Sequence, residues 1–311
     1  MQFNKITSRA VIGMITEALN QPSNTWVDKV ATRYRSTQES ESYGWLGTSP
    51  IMREWVAGRQ AKGLAEYDFA IKNKPFEATL EVFVDDLRRD KTGQLRTRIS
   101  QLAQRARDHE AKLLSTLINA GFATACYDGD YFFGDSHVSG ASGTLDNNLT
   151  ANIGAPATPT AAEFEAAILN ATQNFYALKD DQGEPINGDA ASWLVMIPPG
   201  HLPGAAAALK APVIYDTAPR TSLVQVLGSL GGLNYELQVN PRLSTTDRFF
   251  MFRTDGAVKP FIIQEELDLQ ISAIAEGSEE EFKNNRHLYG INKVGNVGYG
   301  LWQGACAYIF T

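Results

Sequence analysis

The residues best suited to chemistry lie between positions 126 and 137. They are Cys126, Asp128, Asp130, Asp135 and His137. Their spacing does not fit a calcium loop, because position 132 is phenylalanine and no glutamate closes the loop. A Cys126/His137 nucleophile pair is a second interpretation, although the sequence offers no third residue to orient the histidine. Loop structuring, metal binding and catalysis stay open, and the polar, glycine-rich surroundings favour loop structuring.

Two other segments resemble ligand sites only in part. The run Gly228-Ser229-Leu230-Gly231-Gly232 lacks the Lys-Ser/Thr end of a phosphate loop, so it predicts a turn between strands. The cluster Arg96, Arg98, Arg105 and Arg107 could form a nucleic-acid strip. Nearby Asp108 and Glu110 favour a solvated or subunit-facing helix instead. We therefore expect no enzyme, no cofactor and no metal.

Composition narrows the function classes further. The chain has 311 residues, 43% of them hydrophobic and 20% charged, with a net charge of −7. This charge disfavours tight DNA binding through phosphate neutralisation. The two cysteines, Cys126 and Cys306, predict buried thiols in a reducing compartment. No run approaches 18 apolar residues and no secretory signal begins the sequence, so we expect cytoplasmic synthesis.

The first 120 residues predict an arm, a hairpin and a long helix. Residues 6–19 are weakly amphipathic, with Ser8 as a candidate cap, and the polar stretch that follows predicts an extended arm ordered by a neighbour. Residues 76–84 alternate as a strand, and Phe69 and Ile71 are its predicted hairpin partner. Such a hairpin is marginal alone. Residues 93–120 form a helix with an apolar stripe that comprises Leu95, Ile99, Leu102, Ala106, His109, Leu113, Leu117 and Ala120.

The rest of the chain predicts a mixed α/β arrangement. Residues 134–159 are predicted to be a long loop or a domain boundary. Thr160 and Glu163 form a predicted capping box that opens a helix. A buried strand at 193–197 precedes an alanine-rich helix at 202–210. Further strands are predicted near 223–227, 234–239 and 249–253, at 261–271 and at 305–309, and residues 276–281 form a solvated acidic turn.

Four separated stretches together resemble the major head subunits of phage Mu and its relatives. They are Tyr43-Gly44-Trp45-Leu46-Gly47 with Glu54-Trp55, Cys126-Tyr127-Asp128-Gly129 with Phe132-Phe133 and His137, Val258-Lys259-Pro260-Phe261-Ile262-Ile263-Gln264-Glu265, and Gly298-Tyr299-Gly300-Leu301-Trp302-Gln303. The resemblance runs from about residue 40 to the C-terminus and thins between roughly 140 and 250.

This resemblance implies an α+β, HK97-like major capsid protein fold. Its expected parts are an N-terminal arm (1–42), an extended loop or E-loop (43–88), a peripheral domain (89–155 and 258–305, with a spine helix at 93–120) and an axial domain (156–257 with 306–311). The orphan hairpin would then lie on the next subunit. The sequence does not indicate triangulation number, cross-linking, proteolytic maturation or host.

The implied function is structural. Copies would assemble as hexamers and pentamers into an icosahedral shell around double-stranded DNA, in the host bacterial cytoplasm and without a membrane, aided by scaffolding, portal and decoration proteins. The alternatives are an encapsulin-like compartment and an α/β enzyme, although the sequence lacks a nucleotide fingerprint and a nucleophile elbow. Aromatic anchors are enriched at interfaces, with core packing as the alternative role. The candidate intersubunit contacts are Tyr43, Trp45, Trp55, Phe76, Leu80 and Trp302.

Overall fold

Two sheets of different construction organise the chain, one of four strands and one of five. The computed structural model describes residues 7–21, 26–44, 46, 69–89, 93–211, 213–215 and 219–311. Within these ranges, no helix is long and apolar enough to cross a membrane.

Helices and strands alternate along most of the chain. The helices are α1 (Ser8–Leu19), α2 (Trp26–Val30), α3 (Val84–Arg89), α4 (Gln94–Arg107), α5 (His109–Ala120), α6 (Ala161–Ala177), α7 (Leu202–Lys210), α8 (Leu223–Gly231) and α9 (Glu279–Asn284). The strands are β1 (Ala31–Arg35), β2 (Ser40–Ser42), β3 (Ala70–Lys72), β4 (Lys74–Phe83), β5 (His137–Val138), β6 (Thr144–Leu145), β7 (Asn148–Ala151), β8 (Ser192–Ile197), β9 (Val213–Tyr215), β10 (Pro219–Thr221), β11 (Asn234–Val239), β12 (Arg248–Arg253), β13 (Phe261–Ile274), β14 (Arg286–Tyr299) and β15 (Ala305–Phe310).

The five-stranded sheet has the order β11-β8-β12-β15-β7. Strand β8 is buried along nearly its whole length, as a central strand covered on both faces should be. Helix α6 packs against β15 and α7. It begins with the predicted capping box, in which Thr160 and Glu163 satisfy each other's backbone N–H groups, so the sequence prediction for this helix is confirmed.

The four-stranded sheet has the order β1-β13-β14-β4 and contains the long strands β13 and β14, of 14 residues each. Strand β1 runs parallel to β13, whereas β4 and β14 are antiparallel. Helices α1 and α4 cover part of one face. The resulting smaller hydrophobic cluster includes Val11, Ile15, Val82, Leu87, Leu95, Ile99, Tyr289 and Ile291.

A larger hydrophobic cluster surrounds the five-stranded sheet and extends to α2, α5 and the first residues of β13. Its largest fully buried side chains are aromatic, among them Trp193, Phe164 and Phe250. Because aromatic side chains bury the most apolar surface per residue, this cluster carries most of the hydrophobic stabilisation of the fold.

The predicted strand at 76–84 is present as β4, but its predicted pairing is wrong. Strand β3 pairs with β2, and β4 pairs with β14. Only Asn73 separates β3 from β4, which leaves no room for a chain reversal. The Asn73 amide is instead buried and donates to Ser36 Oγ at 3.0 Å and to the carbonyl of Gln38 at 2.9 Å.

The predicted helix at 93–120 is interrupted at Asp108, which ends α4 and precedes α5. In α4 the buried residues include Leu95 and Ile99, as predicted. In α5 they are Ala111, Leu114, Ser115 and Ile118 instead of the predicted Leu113 and Leu117. The buried face changes because α4 packs in the smaller cluster and α5 in the larger one.

The described part of residues 1–42 folds onto its own chain. Thr7, not Ser8, caps α1 through its side-chain oxygen. Val11 and Ile15 are fully buried against α4 and the four-stranded sheet. The apolar face of α1 therefore has its partner within the same subunit. The neighbour was predicted for the polar stretch after α1, and this prediction is wrong for its described residues 26–42, because β1 pairs with β13 and β2 with β3 of the same chain.

The prediction for residues 223–232 is also wrong. Residues 223–227 belong to helix α8 and not to a strand, and the glycine run is the end of that helix. Ser222 caps the beginning and Gly232 ends the helix at a φ of 67°, a left-handed conformation that glycine adopts at little cost. The acidic turn at 276–281 likewise contains the start of α9.

Candidate functional site, a junction of four sequence stretches

Asp128 is the centre of the cluster that looked chemically active in the sequence. Its Oδ2 lies 2.7 Å from His137 Nδ1, and its Oδ1 accepts from Cys126 Sγ at 3.0 Å and from the Asp130 amide at 3.2 Å. Burial opposes ionisation of Asp128, but the hydrogen bonds from His137 and Cys126 outweigh it and lower its pKa. The carboxylate is therefore held ionised and fully engaged.

This geometry favours a structural role over catalysis. Burial and the neighbouring Asp128 raise the pKa of the Cys126 thiol, so the thiol stays protonated and is a poor nucleophile. Cys126, Asp128 and His137 place their ligand atoms within 4.8 Å of one another, a donor set that suits zinc. Because the carboxylate already accepts from both other side chains, the three residues form a hydrogen-bonded loop clamp, in which the buried Nε2 of His137 has no hydrogen-bond partner among the described residues.

The same loop rests on the stretch 298–303. The His137 ring stacks on Trp302 with centroids 3.9 Å apart and planes 10° apart. Phe132 stacks on Tyr299 at 4.4 Å. The Tyr127 hydroxyl donates to Gln303 Oε1 at 3.0 Å. Two stretches separated by more than 160 positions thus form one packed unit.

Asn147 completes this unit, and sequence reasoning missed it. Its fully buried amide nitrogen contacts the carbonyl oxygens of Phe132 at 2.9 Å and Ala305 at 3.1 Å. Its Oδ1 accepts from the Gly134 amide at 3.0 Å. An asparagine in a polar loop carries no signal of such a role, because the same residue type is common in exposed turns.

The stretches near Tyr43 and Gln264 join on the other side. The buried Tyr43 hydroxyl donates to Gln264 Oε1 at 2.8 Å, and burial raises the pKa of Tyr43 to about 12. Gln264 Nε2 donates to Asn73 Oδ1 at 2.8 Å and to the Ile71 carbonyl at 3.0 Å. Phe261 packs on Phe132 at 5.2 Å, so described residues of all four stretches meet at one buried junction.

Glycine makes part of this junction possible. A Cβ at Gly298 would lie 2.3 Å from Ile71 Cδ1, and one at Gly300 would lie 2.6 Å from the Lys259 carbonyl. The chain around Tyr299 therefore lies closer to its neighbours than a residue with a Cβ would allow.

The six proposed contact residues fall into three groups. Trp302 and Tyr43 are only 0% and 4% exposed, so both pack within their own chain, and for Trp302 the core alternative holds. Phe76 and Leu80 are partly exposed on β4, and Phe76 lies edge-on to His109 at 4.3 Å. Trp45 and Trp55 lie outside the described residues.

Asp108 and Glu110, which follow the α4 arginines in the sequence, contact basic residues of other elements. Glu110 accepts from Arg33 at 2.5 Å and also from Lys293. The ion pair recorded for Asp108 is with Arg242, at 3.9 Å. Glu110 is thus held by Arg33 and Lys293, and Asp108 lines the same pocket as Arg105.

Comparison with known proteins shows which protein family this chain resembles. A model of the Mu-like prophage major head subunit gpT matches residues 8–164 and 231–308, and these ranges contain all four stretches. The Mu-like prophage FluMu major head subunit of Haemophilus influenzae is 34% identical over 114 residues, and the major capsid protein of Escherichia phage Mu is 33% identical over 110 residues. The alignments cover 37% and 35% of this chain, and 37% and 36% of those relatives.

Solved structures extend the likeness to nearly the whole fold. A chain of the bacteriophage JBD30 procapsid matches 97% of this chain and 73% of its own length, with a TM-score of 0.57 and 23% identity. A chain of the bacteriophage PhiM1 mature capsid matches 94% of this chain and 89% of its own, with a TM-score of 0.58 and 12% identity. The fold is thus the HK97-like fold of phage capsid proteins, and the chain belongs to the Mu-like gpT major head subunit family.

Proposed function

We propose that this chain is the major capsid subunit of a Mu-like phage or prophage, and that many copies form an icosahedral shell around packaged double-stranded DNA. The observation that carries the proposal is the match of the Mu-like gpT family model to residues 8–164 and 231–308, and the likeness of almost the whole fold to a procapsid subunit supports it. Family membership supports a phage head over an encapsulin-like compartment. The absence of an activated nucleophile in the Cys126 cluster agrees with a structural role.

The two sheets support the proposed domain division. The five-stranded sheet and α6–α8 correspond to the axial domain proposed at 156–257 with 306–311, with β7 added from just before it. The long strands β13 and β14, with α4 and α5, correspond to the peripheral domain at 89–155 and 258–305. Residues 1–42 are the proposed arm and 43–88 the proposed extended loop, although β4 within that range joins the peripheral sheet.

The partners follow from shell assembly. The primary partner is the chain itself, as hexamers and pentamers. Scaffolding, portal and decoration proteins are proposed as accessory partners in the virion and during assembly in the host cytoplasm. The net charge of −7 supports a shell that encloses DNA without binding it tightly.

Electron microscopy of the purified protein, expressed with and without the accompanying phage head genes, tests the proposal. We expect closed shells or capsomers. A preparation that contains only small, uniform particles under all these conditions would overturn it.

A substitution at Trp55 provides a second test of the proposed shell assembly. The extended loop is the proposed contact with a neighbouring subunit, so Trp55→Ala should weaken assembly by about 2–4 kcal/mol per contact, as for an interface anchor, and leave the circular dichroism spectrum unchanged. Parallel loss of assembly and secondary structure would identify Trp55 as a core residue instead.

A further inference from the structure

The tip of the β13–β14 hairpin carries the most exposed large apolar side chain among the described residues. Phe282 in α9 is 91% exposed, and Phe83 and Ile274, which end the adjacent strands β4 and β13, are each 50% exposed. Register pairs Phe83 with Arg286 and Ile274 with Leu288, so all three lie at one end of the sheet. An apolar group of this kind at a subunit surface indicates a contact site.

The tip is also acidic. Residues 276–286 carry four glutamates against one lysine and one arginine. Glu279 is strongly exposed and its recorded ion pair is with the equally exposed Lys283, one turn later. The tip therefore presents an aromatic side chain within a negatively charged surface, which requires an apolar recess with a positive rim as its complement.

The chain itself contains such a recess, at the interruption between α4 and α5. This pocket of about 510 Å³ has apolar walls that include Ala106, Leu269 and Ile291. Its cations are Arg105, Lys112, Arg242 and Lys293, and its carboxylates are Glu77 and Asp108. Arg242 pairs with Asp108 and Lys293 with Glu110, so Arg105 and Lys112 supply the positive rim. A volume in this range accommodates an aromatic side chain and its flanking backbone.

The two features of one subunit cannot meet each other. Along β14, the tip at Arg286 and the pocket at Lys293 are seven residues apart, which is roughly 23 Å of extended strand. The strand is paired on both sides along this stretch, so it does not fold back. Contact between the tip and the pocket therefore requires a second molecule.

We propose that Phe282 of one copy inserts into the pocket at Asp108 of a second copy, with the glutamates of the tip facing Arg105 and Lys112. The contact is head-to-tail, so each subunit has one free tip and one free pocket and the contact can propagate around a closed shell. This proposal rests on the proposed shell function and names one of its intersubunit contacts.

Engineered cysteines test the contact directly. Both native cysteines are buried, so Phe282→Cys combined with Ala106→Cys introduces the accessible pair. In assembled shells under mild oxidation, the double variant should give a ladder of covalent oligomers on a non-reducing gel. Co-assembly of the two single variants should give only dimers. Asn284→Cys with Ala106→Cys, which moves the thiol two positions along α9, is the matched control and should cross-link much less.

Charge exchange provides a second measurement that does not depend on the cysteines. Arg105→Glu and Glu279→Arg should each lower shell yield at least several-fold, and the combination should restore it. Shells that form normally without the ladder, or without any response to either charge reversal, would overturn this contact while the shell function stands. Absence of shells from the unmodified chain, with the phage head genes present, would instead overturn the proposed function.

Discussion

The larger and the smaller hydrophobic clusters differ in how completely they are closed. The larger one is aromatic and surrounds a five-stranded sheet with helices, and most of its members are almost fully buried. The smaller one has as many partly exposed as buried apolar members among the described residues. It is a single sheet layer covered on one face by α1 and α4.

This difference separates two tasks within one chain. The larger cluster contains the junction of the four family stretches and fixes the fold. The region of the smaller cluster includes the long strands, the exposed tip and the pocket, and it buries less apolar surface than the region of the larger cluster. Stability is not uniform in such a molecule, because elements with few buried contacts open at lower free energy. The surfaces proposed for assembly therefore lie in the region that can adjust.

Truncating a buried side chain of the junction should have the largest effect on the free energy of unfolding. Trp302→Ala removes a fully buried ring stacked on His137, and we expect a loss of about 3–5 kcal/mol in unfolding free energy. Chemical denaturation of the subunit measures it. Phe282→Ala, an aromatic truncation at the exposed tip, is the control and should stay within about 0.5 kcal/mol. Equal effects for the two variants would contradict the contrast between the regions.

Truncating the smaller cluster should have a local effect. Ile15→Ala leaves a cavity between α1 and α4, with an expected cost of about 2–5 kcal/mol that is confined to this region. Hydrogen exchange should accelerate in α1, α4 and β4 and remain slow in β8 and β12. The exposed Glu17→Ala on the same helix is the control. Uniform acceleration across both sheets would show that the clusters unfold as one unit.

Acid should weaken the ion-pair group that connects the two regions. Burial alone would raise the pKa of Glu110, but Arg33 and Lys293 hold it at about 2. Its pKa is lowered in the folded state, so its stabilisation is complete above about pH 4.5 and is lost as pH falls toward 2. The unfolding free energies of the parent and Glu110→Gln should differ by about 2–3 kcal/mol near pH 6 and converge near pH 2. A constant difference across this range would contradict the assignment.

The smallest effect is expected when the α4 arginines are replaced and binding to free DNA is measured. Arg96, Arg98 and Arg105 make α4 basic, but the net charge of −7 limits binding of DNA. Titration at about physiological salt should give a Kd near 10⁻⁴ M, as for nonspecific binding. Replacing the three arginines by serine should change little. Submicromolar affinity that falls steeply with salt would mean that α4 is a DNA-binding surface.

The sequence predicted secondary-structure elements better than it predicted which elements pair or pack together. The alternation of residues 76–84 predicted β4, but its partner β14 is about 200 positions away and leaves no local signal. The capping box at Thr160 was readable because all its groups lie within one turn. Trp302 could not be assigned to core or interface, because both environments favour tryptophan. Phe282 was missed, although an aromatic residue directly after an acidic run was a usable signal.

The long-range pairing of the sheets also has a consequence for synthesis on the ribosome. In the four-stranded sheet, β1 pairs with β13. In the five-stranded sheet, β15, which comprises residues 305–310, lies between β12 and β7. The four-stranded sheet cannot close until β13 and β14 have left the exit tunnel, and the five-stranded sheet cannot close until β15 has left it, since non-local pairs form only when both strands are available. A chain interrupted before residue 261 would lack partners for both β1 and β4. Interrupted translation would therefore yield chains that fail to fold, rather than near-complete subunits able to join a growing assembly.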